Sequence, residues 1–203
     1  MFHHVRLSTS SSTVTYHTLY QPGGTLSAVS DNYVGRVVET DSDKEMGRWS
    51  YTGLLGRNGR NIMIVSAYQV CNQQASTVGD RTAVAQQLSL LRRHGKDCSP
   101  RKSFFDDLDH QIEEWRDQGY EIILSGDLNE ELGADIYGFV QISAKWDLVE
   151  IIQHYHGIAV EPPTYARGTK RLNYVFCTPN LLASVTRSGI LPYSEVIEST
   201  HKI

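Results

Sequence analysis

Asp127 and Asn129 stand two positions apart in Gly126-Asp127-Leu128-Asn129, directly after the apolar run Ile122-Ile123-Leu124-Ser125. Side chains on a strand alternate faces with period two, so at a strand end one carboxylate and one amide would converge on a single ligand. That placement is compatible with chemistry. The same residues also make ordinary turn chemistry, because Gly and Asn tolerate a left-handed backbone and Asp caps its own main chain. The tetrapeptide alone leaves both readings open.

The elements that must position this pair can be read from periodicity and punctuation. Met1 to Thr18 is polar and unpatterned, and residues 1–20 read as an irregular N-terminal segment ahead of a domain over 21–203. After Pro22-Gly23-Gly24, short β-like segments span Thr25–Ser30, Tyr33–Glu39 and Trp49–Leu55, which read as consecutive antiparallel strands. The acidic stretch Asp41–Glu45 reads as a solvated hairpin loop. Asn61–Val70 is a stronger strand, with Ile62, Ile64 and Ser66 on one face, Met63, Val65 and Ala67 on the other, and both faces covered.

Val84, Leu88 and Leu91 mark one helix, and Phe104, Leu108, Ile112 and Trp115 a second that starts at Ser99-Pro100 and stops at Gly119. The basic residues Arg92–Lys96 and Arg101-Lys102 between them read as an exposed interhelical loop. Leu148, Ile151, Ile152 and Tyr155 mark a third helix ended by Gly157, and Arg171–Cys177 a further strand. Strands gathered first and then alternating with helices point to an α+β arrangement of two packed sheets with helices outside.

Composition sets the frame. With 203 residues, 40% hydrophobic and 21% charged, the chain is long enough for one sizeable core. A formal charge of -4 and a pI near 6.0 give no long-range attraction for nucleic acid or anionic membrane, although a local basic patch could still bind phosphate. Cys71, Cys98 and Cys177 lie far apart without a CxxC pair, which argues against a zinc knuckle or a disulfide framework and favours reduced thiols in an intracellular protein. The N-terminus lacks the apolar core of a secretory signal, and no run of about 18 apolar residues marks a membrane span. The compartment is left undetermined.

Six short signals occur in one order: Pro22-Gly23-Gly24-Thr25, Ala67-Tyr68, Gly126-Asp127-Leu128-Asn129, Pro163-Thr164-Tyr165, Arg171-Leu172-Asn173-Tyr174 and Ser199-Thr200-His201. Together they resemble the endonuclease/exonuclease/phosphatase superfamily, and most of all its non-LTR retrotransposon branch, over about 180 residues. The resemblance implies a four-layer α/β/β/α sandwich and Mg²⁺-dependent hydrolysis of phosphodiesters, with DNA the favoured nucleic-acid partner. It further implies that Asp127 orients or deprotonates the attacking water and that Asn129 holds Asp127 or a phosphate oxygen. His201 would contact the scissile phosphate and Tyr68 would approach it. Arg171, Arg167 and Lys170 read either as a phosphate-facing patch near the site or as a solvated cationic loop, and Arg171 and Asn173 are the candidate substrate-binding residues.

The chain also departs from the family. No Glu before Gln21 matches the family's metal ligand, Asn173 stands where the family has an Asp that pairs with the histidine, and Thr200 replaces the Asp of Ser-Asp-His. The sandwich is therefore expected to be incomplete at its N-terminus and at its last strand, with the metal ligands undetermined. Three functions follow: an active metal-dependent phosphodiesterase, an inactive remnant of a mobile-element endonuclease, and a non-catalytic nucleic-acid or protein-binding module.

Overall fold

The computed structural model describes residues 4–14, 23–73, 79, 81–134, 138–157, 162–165 and 168–191. His201 and Arg167, with Pro22 and Ser199-Thr200, lie outside them.

Strands β1 (Val5–Ser10) and β2 (Thr25–Ser30) pair antiparallel as a two-stranded sheet. The segment expected to be irregular thus holds a strand. Strands β3 (Val37–Ser42), β4 (Trp49–Leu54), β5 (Ile62–Tyr68), β6 (Glu121–Asp127), β7 (Val149–Glu150) and β8 (Asn173–Cys177) form the second sheet in the order β3-β4-β5-β6-β8-β7. Only β5 and β6 run parallel; the other neighbours are antiparallel. The early strands are therefore not one meander. Residues Asp31–Arg36, expected to be strand in part, form a 3-10 helix that carries the chain from one sheet to the other.

A second short 3-10 turn spans Arg57–Gly59, and helices α1 (Ala83–Arg93), α2 (Pro100–Asp117), α3 (Phe139–Lys145), α4 (Ile151–His156) and α5 (Pro179–Leu182) complete the described elements. Helix α2 follows its sequence signals closely. The Ser99 hydroxyl accepts from Lys102 N, Pro100 takes the first turn, and Phe104, Leu108, Ile112 and Trp115 are all buried. They pack with Trp49, Tyr51, Met63, Val65, Ile122 and Leu124 into one core, with the Tyr51 and Trp115 rings edge to face at 4.9 Å. In α1 the buried stripe is Val84, Leu90 and Leu91, because the helix packs around Met46; Leu88 lies only partly buried.

The opposite face of the six-stranded sheet meets β1 and β2 through hydroxyls. Ser27 Oγ lies 3.1 Å from Thr52 Oγ1, and the Ser8 and Ser10 hydroxyls donate to the carbonyls of Asp41 and Asp43. Val5, Leu7 and Leu26 point outward and stay exposed. This small sheet sits over β3, β4 and β5, so Ile62 and Ile64 are only half covered.

The acidic hairpin loop is not wholly solvated. Asp43 is half-buried and accepts from Arg48 Nε at 2.8 Å, while Arg48 Nη1 reaches Asp107 at 2.8 Å and the guanidinium lies 4.5 Å from the Trp49 ring centre. Burial pushes the Asp107 carboxyl up, but its hydrogen bonds from Arg48 and Ser103 and the charge of Arg48 outweigh this and hold it below the usual carboxylate range. A depressed folded value contributes stability above the unfolded pKa of about 3.9, and that stability is lost as pH falls through the folded value. Thermal midpoints between pH 7 and 3 are expected to fall at the acid end. Asp107→Asn should flatten that limb without abolishing it, since Asp41, Asp109 and Glu121 are lowered too.

Candidate active site

The register of three neighbouring strands puts Tyr68, Asp127 and Asn173 in one row. Tyr68 pairs with Asp127 across the parallel β5/β6 ladder, and Asp127 pairs with Asn173 across the antiparallel β6/β8 ladder. Residues paired in register share a face, so a phenol, a carboxylate and an amide line the same end of the sheet, all half-buried.

Each residue of Gly126-Asp127-Leu128-Asn129 has a separate task. A Cβ on Gly126 would lie 2.0 Å from the Ala67 carbonyl oxygen, so only glycine allows this close passage of β6 along β5. Leu128 is fully buried and anchors the turn in the core. Asn129 takes a left-handed backbone (φ 47°), and its N–H donates to Asp127 Oδ1 at 3.1 Å. The strand stops at Asp127, so an Asx-type turn ties the Asp127 carboxylate to the Asn129 main chain, and the two side chains do not converge by strand alternation. Asn129 Nδ2 donates to the Gln69 carbonyl at 2.7 Å, and Cys71 Sγ lies 3.1 Å from Asn129 Oδ1. Burial first, and then the charge of Asp127, pushes the Cys71 thiol up.

Arg101 holds this corner from the first turn of α2. Its Nη1 donates to the carbonyls of Val70 (3.0 Å) and Asn129 (3.3 Å), and its Nη2 meets the buried Glu130 carboxylate at 2.9 Å. Glu130 Oε1 in turn accepts from Phe139 N, at the start of α3. One guanidinium therefore joins the loops after β5 and β6, and Arg101 is not part of an exposed loop. Tyr174 Oη adds a bond to the Glu130 carbonyl at 3.1 Å.

The other motifs arrive at the same end. Gly23 lies against the Tyr68 ring, where a Cβ would stand 3.4 Å from it. Thr164 Oγ1 accepts from Leu172 N and Asn173 N at 2.8 and 3.1 Å, fixing the entry to β8. Arg171 departs from expectation. It is 3% exposed, its Nη2 lies 2.6 Å from Glu150 Oε1, and its guanidinium stacks over Tyr174 at 4.7 Å. Its charge is committed inward, so it does not form a phosphate-facing patch. Lys170 is exposed and paired with Glu131. Sequence reading did not find Arg101, Glu130 or Cys71 at the site; the Arg101 and Glu130 pair carried no signal beyond two opposite charges far apart in the chain.

No family model and no curated protein matches the chain. Solved structures do. The endonuclease domain of TRAS1, a telomere-specific non-LTR retrotransposon, superposes with a TM-score of 0.56 at 16% identity, covering 98% of this chain and 75% of that one. The human Nocturnin catalytic domain matches at 0.56 and 14% identity, over 86% of this chain and 61% of its own. The 3′ phosphatase NExo from Neisseria matches at 0.51 and 13% identity, over 88% and 72%.

The chain has the endonuclease/exonuclease/phosphatase fold.

Within that fold the row of Tyr68, Asp127 and Asn173 supplies one carboxylate. Among the described residues no group of three or more His, Cys, Asp and Glu side chains is placed to hold a metal ion. Mg²⁺ is held near-octahedrally by one or two carboxylates with waters and substrate oxygens, and beside Asp127 the row offers only a phenol and an amide in place of the second carboxylate that the resemblance expects. The described donor set does not fit the Mg²⁺ site that the family resemblance implies. The three cysteines are free thiols, and among the described residues no helix is long and apolar enough to cross a membrane.

Proposed function

We propose that this chain is a phosphodiester hydrolase of the endonuclease type acting on nucleic acid, DNA before RNA. The row of Tyr68, Asp127 and Asn173 on adjacent strand ends carries the reading. A phosphate ester lying along the row would meet the Tyr68 hydroxyl and the Asn173 amide as hydrogen-bond donors to its oxygens, with Asp127 as acceptor for the proton of the attacking water. Asn129 holds the Asp127 carboxylate through its backbone N–H. The fold supports this, as does the Neisseria phosphatase that shares it and carries a product DNA hairpin.

The lone carboxylate favours a second reading, a non-catalytic remnant of a mobile-element endonuclease. Nicking of supercoiled plasmid separates the two. On the first reading the full chain nicks plasmid and the Asp127→Asn chain, prepared in the same way, does not. On the second, plasmid survives in every condition as it does without protein.

A further inference from the structure

About half of the described Lys and Arg side chains face a carboxylate, as Arg48, Arg101, Arg116 and Arg171 do. Arg36, Arg57 and Arg60 do not: all three are exposed, and no carboxylate lies within ion-pair distance of them among the described residues. They are gathered by the backbone. Leu55 N donates to the Arg36 carbonyl at 2.7 Å, which places the end of the 3-10 helix against the β4–β5 loop. That loop closes on itself through Gly56, where a Cβ would overlap the Arg60 carbonyl.

Between the two segments lies a groove of about 430 Å³ lined by Arg36, Leu55, Gly56 and Arg57. Beside it Tyr33 is 60% exposed, with the Arg36 guanidinium 5.9 Å from its ring centre. The groove sits at the start of β5 and Tyr68 at its end, six residue steps of about 3.3 Å, so roughly 20 Å separates it from the Asp127 site.

We infer that this groove is a binding site for single-stranded nucleic acid, distinct from the site at Asp127. Unpaired guanidiniums attract successive phosphates, and an exposed tyrosine offers a ring face on which an unstacked base can lie. A duplex keeps its bases stacked inside and gains nothing from that ring. The inference does not rest on hydrolysis: the groove shares no residue with the catalytic row.

Fluorescence anisotropy with labelled oligothymidylate, oligouridylate and a DNA duplex, across a salt series, tests it in the Asp127→Asn chain, which leaves the probe intact. Three phosphate contacts give a log–log salt slope near -2 for a single strand. Arg36→Ala/Arg57→Ala/Arg60→Ala should weaken single-strand binding about tenfold or more and bring the slope close to zero, while the corresponding triple lysine variant keeps the slope. Tyr33→Ala should weaken binding roughly fivefold with the slope unchanged, and Tyr33→Phe should bind as the parent does. Thermal midpoints confirm folding, since all four side chains are exposed. A triple alanine variant that binds like its parent, a Tyr33→Ala variant with no loss, or duplex binding that falls in the triple alanine variant as much as single-strand binding does overturns the inference. Plasmid nicking can fail without touching it, because binding is read separately from cleavage.

Discussion

Asp127→Asn is expected to lower phosphodiester hydrolysis by about 10²- to 10⁴-fold while leaving the thermal midpoint within the scatter of repeated melts. The choice of Asn follows from the turn. Asp127 Oδ1 accepts the Asn129 N–H at 3.1 Å, and an amide oxygen accepts that bond as well as a carboxylate does, so Asn removes the charge and the proton-accepting capacity but keeps the cap. Asp127→Ala removes both and should also loosen the loop, by about 1 kcal/mol for one lost local hydrogen bond. The pair separates chemistry from architecture. If Asp127→Asn melts like the parent and cleaves like it too, Asp127 has only its turn role, and the activity comes from elsewhere in the preparation. A large loss in both variants with stability lost only in Ala places the reaction at the row of Tyr68, Asp127 and Asn173.

How much of this was legible beforehand depends on what each residue buries. Helix α2 could be read because its apolar stripe, its Ser99-Pro100 start and its Gly119 stop all agree, and β5 and β6 because both are apolar runs in the middle of a sheet. Strand β1 could not. It turns Ser8 and Ser10 inward against the carbonyls of Asp41 and Asp43 and Val5 and Leu7 outward, the reverse of the pattern by which a buried strand is recognised. Strand β7 is two residues long and α3 seven, both too short for a period to show. At the site, the motifs named Tyr68, Asp127 and Asn173, but their alignment in one row is a property of strand order: β6 lies between β5 and β8, and no local signal states that. Arg101 and Glu130 escaped notice for the same reason, since their contact exists only once α2 crosses the end of the sheet.

The Arg171–Glu150 pair carries the largest expected effect on stability. Both side chains are nearly inaccessible, and the pair ties the start of β8 to β7, with Glu150 also accepting from Gln153 N at the head of α4 and from Val175 N in β8. Arg171→Met would fill much of the same volume but leave the carboxylate buried without its cation, a change that costs about 3–5 kcal/mol. In a domain of this size that lowers the midpoint by on the order of 10 °C. Arg171→Met combined with Glu150→Gln should recover part of the loss, because an amide leaves no stranded charge and its one oxygen can still accept from Gln153 N, while the longer bond from Val175 N is given up. A single variant that loses less than about 1 kcal/mol would show that the pair is solvated in solution and that Arg171 is free to turn outward, returning it to the set of phosphate-facing candidates. Hydrolysis adds a second constraint. Arg171 precedes Asn173 by two residues, and its Nε donates to the Asn173 carbonyl at 3.3 Å. Displacing it moves the strand that sets Asn173 beside Asp127, so the same variant should impair cleavage below its melting range as well as stability.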